Sequence, residues 1–203
     1  MDYDALTNDH GLPFDPFKAL VSPRPIGWIS SKSATGILNL APYSFFNALS
    51  SRPNIVMFSS SGYKDSVRNI DETGEFVCNI ASRDLLHQMS ETSAPAAPDV
   101  DEFDLAGLGT EKSISVAPPR VADAPAAMEC KHLQTLALKD LDGNSAETWV
   151  VIGQVTWIHI NDDVIVDGFV DVTRYQPLSR LGYTHYAAVE SVFSLDRPPG
   201  TPT

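Results

Sequence analysis

Between Pro23 and Ser66 the chain carries three apolar runs of strand length, each broken by residues that turn a chain or end a strand. Ile26 to Ser33 and Ile37 to Ala41 read as strands joined by a tight turn at Ala34-Thr35-Gly36. Asn54 to Ser60 reads as a third strand, entered through Arg52-Pro53, while Pro23 and Pro25 hold the start of the segment extended. The period then switches. Lys64 to Ile70 places Val67 and Ile70 three apart and stops at Thr73-Gly74, the pattern of a short helix. Runs this short, turned this tightly, leave room for an antiparallel sheet with a helix beside it and little else.

The remainder of the chain continues in the same style. Asp15 to Leu20 looks like a short helix with Asp15 as its cap and Pro16 at its first position. Glu75 to Ala81 reads as a strand, and Ser82 as the cap of a helix from Arg83 to about Glu91. Thr92 to Val121, rich in Ala, Pro and Asp, is an irregular excursion with a short helix near Asp101 to Ala106. Ala127 to Leu138 and Thr148 to Ile160 are strands joined by a hairpin at Asp140 to Asn144, where Asp142-Gly143 is a strong turn signal. A last strand is expected near Ala187 to Leu195, and the Pro-rich end after Arg197 is expected to fray. Many strands with few helices argue for a mainly β fold, an antiparallel barrel with peripheral helices, formed by residues 1–203 as a single domain. Regular strand–helix alternation, which a doubly wound parallel sheet needs, is missing.

Charge narrows the function. Fourteen basic against 26 acidic residues give a formal charge of −12. Nucleic-acid binders need a basic footprint, so DNA and RNA are poor partners, and anionic membrane surfaces are disfavoured for the same reason. No apolar run reaches the ~20 residues of a membrane helix, and no secretory signal is visible at the N-terminus. Cys78 and Cys130 lie in apolar surroundings without close spacing, which reads as two reduced core thiols in a cytoplasmic protein. The five histidines show no ligand spacing, so no metal site is expected. Gly-x-Ser-x-Gly and Walker A sequences are absent, and Gly107-Leu108-Gly109 stops short of a dinucleotide fingerprint because Lys112 stands at the third glycine position.

What remains is a concentration of small polar side chains on apolar strands. In Ser59-Ser60-Ser61-Gly62-Tyr63-Lys64-Asp65-Ser66 a strand ends and a helix begins, and helix starts attract phosphate through free N–H groups and partial positive charge. Lys64 adds a full charge, and Ser59, Ser61 and Ser66 add hydroxyls. The plain alternative is a helix capped by Asp65 with Lys64 in solvent. Asn39, Tyr43, Ser44 and Asn47 sit on and just after the second strand, where amides suit the edge of a flat heterocycle. Taken singly, Asn39 and Asn47 read first as ties to turn backbone. Arg24, stiffened between two prolines, could clamp a phosphate or pair with one of many surface acids. Ser30 and Ser31 interrupt an apolar strand, and hydroxyls there face a ligand or a turn.

Pro23 to Ser31, Asn39 to Asn47, and Lys64-Asp65-Ser66 with Asn69 together resemble the flavin reductase-like family with its FMN-binding split barrel. Gly74 to Asn79 and Ile152 to Val155 are looser landmarks of the same likeness, which runs from about residue 10 to 195. The resemblance implies a Greek-key split barrel, a homodimer with FMN near the subunit interface, and NADH or NADPH as electron donor. Electrons would pass on to free flavin, a partner oxygenase or a small acceptor; the alternative is an FMN-binding electron carrier without NAD(P)H turnover. Asn39, Ala41, Pro42, Tyr43, Ser44 and Asn47 would then contact the ring. Ser59 to Ser66, including Ser59, Ser61, Lys64, Asp65 and Ser66, would hold the phosphate with Ser30, Ser31 and Arg24. Thr92, Ser93 and the Arg180 to Tyr186 segment would close the site. No general acid or base is needed, so no catalytic side chain is expected. The excursion at 92–121 is longer than in many family members and is expected either to shape or to block the nicotinamide side.

Overall fold

The computed structural model describes residues 1–196, 198 and 200. The expectation for the end after Arg197 falls largely on residues outside this set. Seven strands form one antiparallel sheet: β1 (Gly27–Lys32), β2 (Leu38–Tyr43), β3 (Phe46–Ser51), β4 (Asn54–Ser61), β5 (Glu75–Ile80), β6 (Ala126–Lys139) and β7 (Ser145–Ile160). Their order across the sheet is β2-β1-β5-β6-β7-β4-β3. The two edge strands, β2 and β3, are consecutive in the chain and are separated only by Ser44 and Phe45. Six inter-strand spacings of a flat sheet would put those edges about 29 Å apart. Three Cα–Cα steps reach at most about 11 Å. The sheet must therefore curl until its edges meet, which makes it a barrel. The Ser59 amide donates to the Phe45 carbonyl at 2.8 Å, extending the β3–β4 ladder by one step, and the Tyr43 ring of β2 lies 4.5 Å from the Phe58 ring of β4 where the edges meet.

The sequence expectations for β1, β2, β4 and β5 hold to within two residues, as does the first arm of the long hairpin; the second arm begins at Ser145, three residues before the expected Thr148. β3 is an addition: its Asn-Ala-Leu-Ser-Ser run reads as loop, yet it pairs with β4 along its length, with a bulge between Ala48 and Ser50. The expected last strand shortens to Tyr186–Ala188, which pairs with Leu178–Arg180; Arg24–Pro25 pairs with the other side of Leu178–Arg180. Asp15 caps the Phe17–Leu20 helical turn as expected, accepting from the Phe17 amide at 2.9 Å, although Pro16 holds the formal cap position.

Helix α1 (Asp65–Thr73) closes one side of the barrel. Its Val67 and Ile70 are fully buried with Ile29, Phe58, Phe76, Cys78, Cys130 and Val151. Gly74 ends it at φ +75°, a left-handed conformation where a side chain would be strained. A second cluster lies on the outer face of β1 and β2, where Trp28 and Leu40 pack against helix α2 (Leu86–Glu91), helix α3 (Glu102–Leu105), Leu108 and Val121. The 92–121 excursion is thus a cover over β1, whose residues are buried on both faces. Asn79 fastens it, accepting from the Val121 amide at 2.9 Å while donating to the Trp28 carbonyl at 3.0 Å. No helix among the described residues is long and apolar enough to cross a membrane.

Candidate functional site

The start of α1 is the centre of the site. β4 runs out at Ser61, Gly62 and Tyr63 turn the chain, and Lys64 takes an extended cap conformation (φ −84°, ψ 175°) before the first helical residue, Asp65. No side chain caps this end. Asp65, the cap in the plain alternative, lies one position inside the helix and pairs with Arg68 instead. The first-turn N–H groups therefore keep their partial positive charge unspent. Lys64 is solvent-exposed and belongs to none of the ion pairs among the described residues.

The inner face of α1 is tied to the sheet by two side-chain hydrogen bonds. Asn39 donates to Ser66 Oγ at 2.9 Å, and Asn69 donates to Ser31 Oγ at 3.2 Å. Ser31 and Asn39 are direct cross-strand partners, and Ser66 and Asn69 lie one helical turn apart, so the four form a clasp that fixes the helix start. A cleft of about 450 Å³ opens in front of it. Asn39, Ala41, Pro42 and Tyr43 form one wall, Tyr63 to Ser66 and Arg68 the helix side, and Thr92 to Ala96 with Glu102 the rim. Burial raises the Tyr43 phenol above its usual pKa, opposed by hydrogen bonding with Ser66 and Ser60. Burial also raises the Glu102 carboxyl, which accepts from the Leu40 amide at 3.0 Å.

A second cleft, about 540 Å³, adjoins the first and shares Pro42 and Ser93 with it. Arg24, Ser44 and Phe45 line it from the barrel seam, Phe14, Asp15 and Lys18 from the N-terminal arm, and Arg180, Leu181, Tyr183 and Tyr186 from the C-terminal strands. Together the two clefts are lined by Lys18, Arg24, Lys64, Arg68 and Arg180 against Asp15, Asp65 and Glu102. Cations outnumber acids here in a chain where acids outnumber cations almost two to one. Such a reversal favours an anionic ligand.

The structure gathers Asn39, Ala41, Pro42, Tyr43, Lys64, Asp65, Ser66, Thr92 and Ser93 around the first cleft, and Arg24 and Ser44 around its neighbour. Five expected residues line neither. Ser30 is buried and donates to the Pro119 carbonyl at 2.5 Å, holding the cover in place. Ser31 belongs to the clasp. Asn47 is exposed on β3 and accepts from the Ala48 amide at 2.8 Å. Ser59 extends the β3–β4 ladder, and Ser61 is exposed where β4 pairs with Thr148 of β7. Thr92 faces inward, accepting from the Trp28 indole at 2.8 Å and donating to the Met89 carbonyl at 3.0 Å. Sequence reasoning missed Arg68 and Glu102 among the lining residues. Arg68 follows Lys64 by one helical turn and was open to detection by spacing; Glu102 had no local signal.

A family model described as flavin reductase like domain matches residues 20–178. The chain belongs to the flavin reductase-like family. Its barrel is the split barrel of that family. A protein of Aquifex aeolicus without an assigned activity is 37% identical over 173 residues, covering 82% of this chain and 85% of that one. Nitrilotriacetate monooxygenase component B from Bacillus cereus superposes with a TM-score of 0.86 at 29% identity, over 96% of this chain and 98% of that one. The 2-nitrobenzoate 2-nitroreductase NbaA of Pseudomonas fluorescens gives the same TM-score at 24% identity over 100% and 99%, a likeness of fold. Membership places the chain among flavin-related redox proteins.

Proposed function

We propose that this chain binds FMN in the Lys64 cleft and works as an NAD(P)H-dependent flavin reductase-like oxidoreductase. The observation that carries the reading is the uncapped start of α1 beside an unpaired Lys64, rigidly clasped to the barrel wall. A phosphate monoester is the ligand such a helix start favours. FMN ends in one, and its ring system suits a cleft of this volume. Lys64 and the backbone N–H groups from Asp65 to Val67 would hold the phosphate. Asn39, Ala41, Pro42 and Tyr43 would form the wall for the ring, with Thr92 to Ala96 and Glu102 excluding water from the other side. When bound, FMN supplies hydride and single-electron transfer. The chain's own share is to bind, orient and shield, so no side chain needs to act as acid or base.

A homodimer is supported by exposed apolar side chains along both arms of the long hairpin. Leu133, Leu136 and Leu138 on β6 and Trp157, Ile158 and Ile160 on β7 are each more than a third exposed. A partner oxygenase as electron acceptor is supported by the 29%-identical monooxygenase component B. A reducing, cytoplasmic setting suits Cys78 and Cys130, buried and unbridged on neighbouring strands.

The test is anaerobic. Protein reconstituted with FMN is mixed with NADH or with NADPH while the flavin absorbance band is followed. Bleaching by either donor is expected. A band bleached by dithionite but by neither nucleotide would reduce the protein to an electron carrier.

A further inference from the structure

The second cleft holds an arrangement that the flavin reading leaves unused. Arg24 and Arg180 are direct cross-strand partners in the antiparallel pair Arg24–Pro25 and Leu178–Arg180. Like charges directly opposite one another destabilise a strand pair. Neither arginine belongs to an ion pair among the described residues, in a chain with 26 acidic side chains to choose from. Arg24 is 95% buried, and three backbone carbonyls, those of Lys18, Val21 and Leu181, hold its terminal nitrogens. Its Nε–H is buried with no acceptor. Arg180 donates once, to the Tyr183 carbonyl at 2.6 Å, and its guanidinium stacks on the Tyr186 ring at 4.3 Å. Burial and the Arg180 charge both depress the Arg24 pKa, the direction a bound anion would reverse. The one acid lining this cleft, Asp15, is occupied in capping Phe17.

An orphaned buried donor beside two unneutralised guanidinium groups calls for an anion. The walls define what carries it. Phe45, Tyr183 and Tyr186 line the same cleft, and Arg24 lies 5.6 Å from the centre of the Phe45 ring. We propose that the Arg24–Arg180 pair is the carboxylate-binding end of a site for a small planar aromatic acid, which lies beside the flavin cleft with its ring among Phe45, Tyr183 and Tyr186. A carboxylate matches the fork of an arginine in two parallel hydrogen bonds, and flat aromatic surfaces give ring stacking on both the tyrosines and the guanidinium. The role as a reactant site rests on the flavin reading, through the shared wall at Pro42 and Ser93; the anion chemistry does not.

The experiment titrates 2-naphthoate into the protein at low salt, with and without FMN, by calorimetry, with uncharged 2-naphthamide as control. Saturable naphthoate binding is expected, at least tenfold tighter than the amide, in flavin-free protein as well. Arg180→Gln is expected to lower naphthoate affinity about tenfold, with Arg180→Lys intermediate. Circular dichroism of each variant establishes that it is folded. Equal binding of acid and amide, no saturable binding, or an unchanged constant in folded Arg180→Gln would overturn the proposal. So would inorganic phosphate or ADP displacing naphthoate at lower concentration than naphthoate itself, which would make this a phosphate site. Failure of FMN to bind, with naphthoate binding intact, would sink the flavin reading alone.

Discussion

Glu129 offers the sharpest test of how the cover over the barrel is held. It is completely buried on β6, yet four donors converge on it. Oε1 accepts from the Ile114 amide at 2.8 Å and from His159 Nε2 at 2.6 Å; Oε2 accepts from the Ser115 amide at 2.5 Å and hydroxyl at 2.6 Å. Burial alone would raise this carboxyl, but the hydrogen bonds from His159, Ser115 and the two amides outweigh it and hold the pKa at about 2. Compared with the ordinary 4.5, that amounts to about 3 kcal/mol of native-state preference for the ionised form. Glu129→Gln keeps the shape and removes the charge. Whichever way the amide is turned, its NH₂ meets one backbone N–H, of Ile114 or of Ser115, and that donor goes unpaired at a cost of about 1–3 kcal/mol. The variant should therefore lose about 3 kcal/mol at pH 7, or about 6–12 °C in melting temperature for a chain of this size. The sign of the pH dependence follows from a depressed native pKa. The contribution is fully present above about pH 5 and is lost as pH falls toward 2. Urea denaturation of both proteins from pH 7 to pH 3 should show their stability difference shrinking across that window. A difference below 1 kcal/mol at pH 7, or one that does not narrow in acid, would mean that the ionised Glu129 does not hold the cover.

Two further outcomes follow from packing. Thr92→Val leaves the buried Trp28 indole N–H without its acceptor, so urea denaturation should show a loss of about 1–3 kcal/mol; a change under 0.5 kcal/mol would contradict it. Gly153→Ala would put a methyl 2.5 Å from Phe76 Cε1 and Cζ in the barrel core, costing about 1–3 kcal/mol. Combining it with Phe76→Leu should destabilise less than the sum of the two single changes, and strict additivity would show that the ring is not the obstacle.

Much of this fold was legible because its signals are local. Apolar runs of strand length bounded by turn residues mark β1, β2, β4 and β5, the Asp142-Gly143 turn marks the long hairpin, and a helix period after Tyr63 marks α1. β3 escaped because an exposed edge strand needs few apolar residues, so Asn47, Ser50 and Ser51 look like loop. The cleft was legible in its centre, Asn39 to Tyr43 and Lys64 to Ser66, because each lining segment is a short run marked by its own strand-end or helix-start signal. It was opaque wherever a partner is remote in sequence. Ser30 and Ser31 were expected at a ligand, but their partners are Pro119 and Asn69. Arg24 sits opposite Arg180 and Leu40 is bonded to Glu102, pairings that no spacing rule contains.

The most direct question about this protein is whether the start of α1 holds a phosphate. Fluorescence titration of flavin-free protein with FMN and with riboflavin, which lacks the phosphate, isolates that contact. Wild type should bind FMN at least tenfold more tightly than riboflavin, and Lys64→Ala should weaken FMN about tenfold while leaving riboflavin unchanged. Equal affinity for the two flavins, or an FMN constant indifferent to Lys64→Ala, would contradict a phosphate held there.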